Sequence, residues 1–455
     1  MIKMTPMTPK TKQLRFRDDT SGSMTIMGMF FFIAAGILGA FALDVTNLNA
    51  SRTHLQVAAD QAAHAAIYNR ALMNADDAKE RALAVVEATL PNNQFGVALT
   101  ADDIEFGVYV ASANLFVPDV DARDAVRVRT AFLESRSNAV VGYLFRLIGF
   151  DRFDVVTSAI YTTYRPACLR EGFVAQGVVD IQSNNAFGQG FCIHSNTHVS
   201  LNSNNIFEAG TIVSMPDLAS LDLPRSGFDT NAGLEAALRS GFQNIRVLSR
   251  IDNMLHRYEN PYDYSSDYPS PSLVADTDDL PDYITNPTVV EMRERDIETS
   301  ELEEGRVYLI DCVGNSGLTI DATQTLREVI IISPCDIKFS SGSSIEDARI
   351  LSRSTASDSI SSPSGLRIGR NDNCAAGGGA QLITAGGMRF PSDLQIFGSQ
   401  LLAKGDIYFA ANANGVQGAS MIAGGEISGT SNMNMGLCLT GMEDNVELNY
   451  FRLAR

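Results

Sequence analysis

Tryptophan is missing from all 455 residues, and basic side chains are scarce beside acidic ones: 35 Lys and Arg against 53 Asp and Glu, a formal charge of −18 at pH 7. With no Trp and with 36 glycines, the chain suits tight turns better than large aromatic pockets. The acidic balance argues against nucleic acid or anionic lipid as a partner, because neutralising phosphates needs clustered Lys and Arg. Catalytic signatures are lacking too. No G-x-S-x-G stands in a strand-turn-helix setting, and the Gly-rich stretch CAAGGGA, Cys374–Ala380, lacks the following Lys-Ser/Thr of a phosphate-binding loop. It reads as a flexible loop. Hydrophobic residues make up 45% of the chain, which excludes wholesale disorder and provides core for two or three domains.

Charge is absent altogether from Thr20–Leu43, TSGSMTIMGMFFFIAAGILGAFAL. As a helix this stretch measures roughly 36 Å, enough to cross a hydrocarbon layer of about 30 Å. The rival reading is a removable signal peptide, whose apolar run is usually about 7–15 residues and ends at a small-residue cleavage site. Here the run is longer and passes straight into a helix-forming segment, which predicts a retained transmembrane helix. Lys3, Lys10, Lys12, Arg15 and Arg17 precede it, so the 1–19 leader is expected on the cytoplasmic side and the bulk of the chain outside. Once the leader is set aside, the remainder carries −21.

Six cysteines, Cys168, Cys192, Cys312, Cys335, Cys374 and Cys438, all lie beyond the apolar run. In an oxidising compartment they are disulfide candidates. Fifteen pairings are possible; proximity in sequence favours Cys168 with Cys192, Cys312 with Cys335, and Cys374 with Cys438. Between Asp44 and Leu90 the spacing is helical, with Leu55, Ala59, Ala62 and Ala66 on one stripe that Ala58, Ala63 and Ala65 widen, until Pro91 stops it. The alanine stripe is expected to form intramolecular core, the alternative being a sister helix. From Asp103 to Tyr164 the period becomes that of strands, in IEFGVYV, AVRVRTAF and FDVVTSAIYTTY, and the apolar run Ala139–Phe150 predicts a short buried or interfacial helix.

The leader, the Asp44 that closes the apolar run, the tandem Leu55-Gln56-Val57-Ala58-Ala59-Asp60 and the strand runs through Pro166 together resemble the TadE/TadG-like proteins of the tight-adherence (Flp) pilus machinery, over about residues 14–166. The resemblance implies an inner-membrane protein with a pseudopilin-like α+β module at 44–166, taking part in assembly or anchoring of a surface filament. Its partners would be other pilus-assembly proteins or a second copy of itself. Processed pilin-like members carry Glu at the fifth position after a cleaved Gly; counted from Gly22 that position is Met27, which implies an uncleaved assembly factor. Asp19-Thr20-Ser21-Gly22-Ser23 spells the D-x-S-G-S adhesion motif of von Willebrand A domains, but no hydrophobic strand precedes it, so no metal is assigned there.

Past Pro166 a repeat begins. Val179, Ile181, Ser183, Asn184, Asn185, Phe187 and Gly190 recur twenty positions on as Val199, Leu201, Ser203, Asn204, Asn205, Phe207 and Gly210. Alternating apolar residues supply inward-facing strand positions, and Asn184, Asn185, Asn204 and Asn205 supply corners and ladders. That predicts a mainly-β parallel β-helix, with first rungs at 167–214, an insertion at 215–304 and its continuation at 305–455. The insertion holds a helical patch, Ala232–His256, and a Pro-, Asp- and Tyr-rich loop, Pro261–Tyr283. The architecture also resembles pectate-lyase-like β-helices, without a catalytic motif.

Cys192, His194 and His198 lie close together, and Asp276, Asp278 and Asp279 cluster in the insertion. A disulfide-bonded Cys192 is no zinc ligand, and a solvated acidic loop is the plainer reading than a Ca²⁺ site. No catalytic residue, cofactor or metal is therefore assigned. The expected function is a non-catalytic, membrane-anchored assembly component; the alternative is a tethered β-helix that binds or cleaves cell-surface glycans.

Overall fold

The computed structural model describes residues 22–71, 73–259, 280–314 and 317–454. They form two compact units: a smaller one that runs to Tyr164 and takes in the last residues from Phe451, and a larger one, Arg165–Tyr450. The leader 1–19, Asp19, Thr20 and Ser21 of the D-x-S-G-S motif, most of the loop 261–283 and the whole Asp276, Asp278 and Asp279 cluster lie outside the described residues.

In the smaller unit, helix α1 spans Gly22–Arg70 without interruption. Its first half, Met24–Leu43, is almost wholly exposed and is long and apolar enough to cross a membrane. Its second half turns one face inward: Leu55, Ala58, Ala59, Ala62, Ala63 and Ala66 are fully buried. They pack against Ala78 and Ala82 of helix α2, Ala75–Thr89, and against Phe106, Val126 and Val128 of the sheet. Small side chains let these elements approach closely, so the alanine stripe is intramolecular core as expected. The single helix expected over Asp44–Leu90 is instead two. The chain leaves α1 at Arg70, and Asn74 starts α2 by accepting the Asp77 amide on its Oδ1 at 2.9 Å. An Asn that caps a new helix competes well with one that continues an old one.

The sheet of this unit is ordered Leu115–Pro118, Ile104–Val110, Ala125–Phe132, Val155–Tyr164 and Tyr450–Leu453. Its first three pairings are antiparallel, with Ile104 opposite Val128 and Val128 opposite Ala159. The apolar run Ala139–Phe150 is not a helix of any length. Val140–Val141 pairs with Arg152–Phe153 around one 3₁₀ turn, Phe145–Ile148. Gly142 and Gly149 explain this: a Cβ on Gly142 would lie 2.8 Å from the Phe150 carbonyl oxygen, and Gly149 takes φ +92° to end the turn.

The larger unit is built from parallel strands. Val179 pairs with Val199, Phe173 with Ile193, and Phe187 with Phe207. The twenty-residue repeat is thus the pairing offset itself. Each repeat forms one layer of three short strands, as in 172–175, 179–181 and 186–187. Inward side chains such as Phe173, Ile181, Phe187, Ile350 and Phe409 form one continuous core.

Space and sequence disagree on the order of layers. From one end it runs Asn286–Glu294, Arg306–Cys312, Leu326–Ser333, Ser344–Ser352, Ala380–Thr384, Gln400–Ala403 and Ser420–Ala423. The next neighbour is Gly172–Ala175, followed by Cys192–Ser195, Ile212–Met215 and Leu238–Ser240. The late strands therefore do not resume where the early ones stop; they attach to the opposite side of the first layer, with Ile427 opposite Val179 and Met435 opposite Phe187. The patch expected as helix over Ala232–His256 gives one turn, Leu234–Ala237, the strand Leu238–Ser240, and a helix, Ile251–Glu259.

Three disulfides close the larger unit: Cys168–Cys192, Cys312–Cys335 and Cys374–Cys438, the pairs that proximity favoured. For loops of this length each removes about 3–4 kcal/mol of unfolded-chain freedom in the entropy model.

Candidate functional site

Three arrangements of polar groups stand out, and none has the form of a catalytic centre. The first joins α1 to the loop after Asn138. Asp44 is buried at the residue next to the apolar run, and its carboxylate accepts the backbone amides of Tyr143 at 2.9 Å, Leu144 at 2.9 Å and Phe145 at 2.6 Å. Three successive amides converging on one carboxylate make strong, charge-assisted bonds. One turn further along the helix, Asn47 reaches the Val141 carbonyl at 3.4 Å. In the Leu-Gln-x-Ala-Ala-Asp tandem, Leu55, Ala58 and Ala59 are core, while the Gln56 amide donates to Asp60 at 2.9 Å and to the Ser158 carbonyl at 3.3 Å. The tandem thus seats α1 on the sheet.

The second is the asparagine ladder. Asn184 and Asn204 adopt φ of +62° and +63°, as corner residues must. Asn185 and Asn205 are buried; the Asn185 amide donates to Asn205 Oδ1 at 2.9 Å, and each side chain closes its own turn onto the carbonyl three residues back. The ladder continues at both ends, since the Asn205 amide donates to Asn231 Oδ1 and the Met433 amide to Asn185 Oδ1. Sequence reading missed Asn231 and the matching corner Asn432. The signal for the latter was present: Ser431-Asn432 followed by Met433 and Met435 repeats the Ser-Asn of the other two layers.

The third lies on the outward face of the strands. The row Ile332, Leu351, Ile383, Leu402, Ile422 and Val174 is buried although it points away from the main core, because helix Ile251–Glu259 and the segment about Val446–Leu448 cover it. Beside it runs a polar row, Arg349, Gln381, Gln400 and Ser420, buried as well. Arg349 donates to the Tyr258 hydroxyl, to Gln381 Oε1 at 3.2 Å and to the Asp444 carbonyl at 3.0 Å. Gln400 exchanges hydrogen bonds with the Val446 backbone in both directions, at 2.8 and 3.1 Å. Burial opposes the charge of the guanidinium, but Tyr258, Tyr283 and Asp444 outweigh it and hold it protonated. The row clasps the C-terminal segment to the strands. Its signature was legible in retrospect as ARIL, AQLI, SQLL and ASMI, four tetrapeptides with the polar residue second.

The Cys192, His194 and His198 trio does not assemble. Cys192 is oxidised, and both ring nitrogens of buried His194 are taken, Nδ1 by the Ser214 hydroxyl at 2.7 Å and Nε2 by Asn196 at 2.9 Å. Among the described residues, Asp311 with Cys312 and Cys335 is the grouping near enough for a metal, and its sulfurs form a disulfide, which leaves no thiolate. The Gly-rich loop, expected to be flexible, is tied down: Cys374 is bridged to Cys438, Gly378 donates to Asp347, and the Arg370 amide donates to the Gly378 carbonyl at 3.0 Å.

Burial pushes the His194 pKa below its ordinary 6.5, the Asn196 bond only partly opposing. Unfolded chain therefore binds this proton more readily, so the stability contributed by the neutral ring is complete above that value and is lost as pH falls below it. Thermal unfolding between about pH 7.5 and about pH 5 is expected to show a smaller drop in midpoint for His194→Gln than for wild type. Parallel curves would assign the pH dependence to other groups.

A family model described as Domain of unknown function (DUF7867) matches residues 172–439, and the Tad model, Flp pilus-assembly TadE/G-like, matches residues 22–80. No curated protein and no solved structure matches the chain.

Proposed function

Since the chain belongs to the DUF7867 family and is similar at its N-terminal end to Tad pilus-assembly proteins, we propose that it is a non-catalytic, membrane-anchored component of a Tad-type pilus assembly or anchoring system. In this reading Thr20–Leu43 spans the inner membrane with the leader in the cytoplasm. The α+β unit is a pseudopilin-like module in the periplasm, and the parallel layers are a β-helix that serves as docking scaffold for assembly partners. One observation carries the proposal. A single helix is exposed and apolar over Met24–Leu43 and then buries one face, Leu55 to Ile67, in the folded unit, so anchor and unit share one helix within the region that matches the Tad model. Three disulfides support an oxidising compartment, and the polar rows described above are engaged in holding the fold together.

The test is deletion of the gene with complementation by the full chain. Surface filaments, counted by electron microscopy, are expected to vanish on deletion and return on complementation. Unchanged filament number would overturn the assembly role, and release of reducing ends from cell-wall or capsular glycan by the purified chain would overturn the non-catalytic one.

A further inference from the structure

The loop that replaces the expected helix buries Ala139 and Val140 but turns three other apolar side chains outward. Val141, Tyr143 and Phe150 are 51, 61 and 59% exposed, while the backbone that presents them is firmly held. The Asp44 carboxylate binds the Tyr143, Leu144 and Phe145 amides, the Asn47 side chain binds the Val141 carbonyl, and Gly142 is packed beneath Phe150. An exposed aromatic group on a fixed loop keeps its apolar surface in water unless something covers it.

The same contacts say where the loop stands. Asp44 follows Leu43, the last residue of an apolar exposed run that begins at Met24 and measures about 30 Å as helix. Phe41 in that run touches Phe145 edge to face, with ring centroids 5.4 Å apart, and Phe145 in turn touches Phe153 at 5.6 Å. Exposed apolar surface is therefore continuous from the helix onto the loop. Tyr143 and the exposed Arg146 have the chemistry of a membrane boundary, where amphipathic rings sit at headgroup level and Arg reaches lipid phosphate, and Phe150 adds apolar surface beside them.

We propose that Val141–Phe150 is an interfacial lipid contact: a second attachment to the bilayer, beside the span, that fixes how the α+β unit stands on the membrane. It rests on the reading of α1 as a membrane anchor. The attraction is apolar and needs no anionic lipid.

Because the chain has no tryptophan, Phe150→Trp creates a single fluorescent reporter at a site that tolerates a larger ring. The full chain is reconstituted in phosphatidylcholine vesicles with acyl chains brominated near the carbonyl, in vesicles with chains brominated near the bilayer centre, and in unbrominated vesicles with aqueous iodide as quencher. Phe150→Trp is expected to lose most of its emission to the bromines near the carbonyl and little to iodide. Val110→Trp, at the end of the sheet away from this loop, is expected to do the reverse. Phe31→Trp, within the run, separates the two ideas. If deep bromines quench Phe31→Trp while Phe150→Trp responds only to iodide, the loop contact is overturned and the anchor stands. If lipid quenches neither, the anchor reading falls and takes the loop contact with it. A Phe150→Trp signal shielded from both quenchers would mean that protein covers the loop, and would overturn the lipid assignment.

Discussion

Replacing Arg349 by methionine is expected to lower the stability of the larger unit by about 2–4 kcal/mol, since neutral buried acceptors left unpaired cost about 1–3 kcal/mol each and do not add fully. The urea midpoint of the detergent-solubilised full chain is the measurement. Methionine fills much of the space, so the loss is one of partners more than of volume. The Gln381 oxygen, the Asp444 carbonyl and the Tyr258 hydroxyl each lose a buried donor, and a buried acceptor without a partner carries its full desolvation penalty. Adding Tyr258→Phe removes one of those stranded groups. The double variant is therefore expected to be more stable than the sum of the single changes implies. An unchanged midpoint for Arg349→Met would show that the clasp over the outward face contributes nothing.

The second large effect is expected at Asp44. Alanine there leaves the amides of Tyr143, Leu144 and Phe145 without their acceptor. Hydrogen bonds to a charged group are worth about 1.5–3 kcal/mol each and do not add fully, so the loop is expected to lose about 2–4 kcal/mol of local stability. Hydrogen exchange at those three amides should then accelerate by roughly 30- to 1,000-fold, while amides of Val126 and Val128 in the buried sheet exchange as before. A carboxamide in place of the carboxylate keeps one acceptor oxygen, so Asp44→Asn is expected to fall between. Equal exchange in all three proteins would mean that water already serves these amides.

Much of the smaller unit was legible because its elements obey simple periods. Ile104–Val110, Ala125–Phe132 and Val155–Tyr164 alternate and are rich in β-branched residues, and they are strands. The helix break before Asn74 was hidden, because neither glycine nor proline marks it and only the Asn74 to Asp77 spacing signals a cap. Apolar content misled over Ala139–Phe150, since composition alone does not separate a buried helix from an exposed turn; two glycines decided it. In the larger unit the local offset of twenty gave the pairing within 179–210, but pairing across 248 positions, as between Asn184 and Asn432, leaves no mark in a window of a few dozen residues. Arg349 escaped notice for a related reason. A lone charge in an apolar run reads as the solvent-facing residue of a strand, and its burial depends on helix Ile251–Glu259 and on Asp444 and Val446, which arrive from far away in sequence.

The attachment of Ser420–Ala423 to Gly172–Ala175 also sets a timetable. A chain delivered N-terminus first presents the 172–215 layers early, with one flank paired and the other bare until Ser420–Ala423 has followed. Closing that seam joins residues 248 apart, a loop whose entropy costs about 5 kcal/mol on the logarithmic scale, so it belongs among the last events of maturation. A protein interrupted before Ser420 would keep an open edge of unsatisfied strand, the form most exposed to misassembly and to proteases.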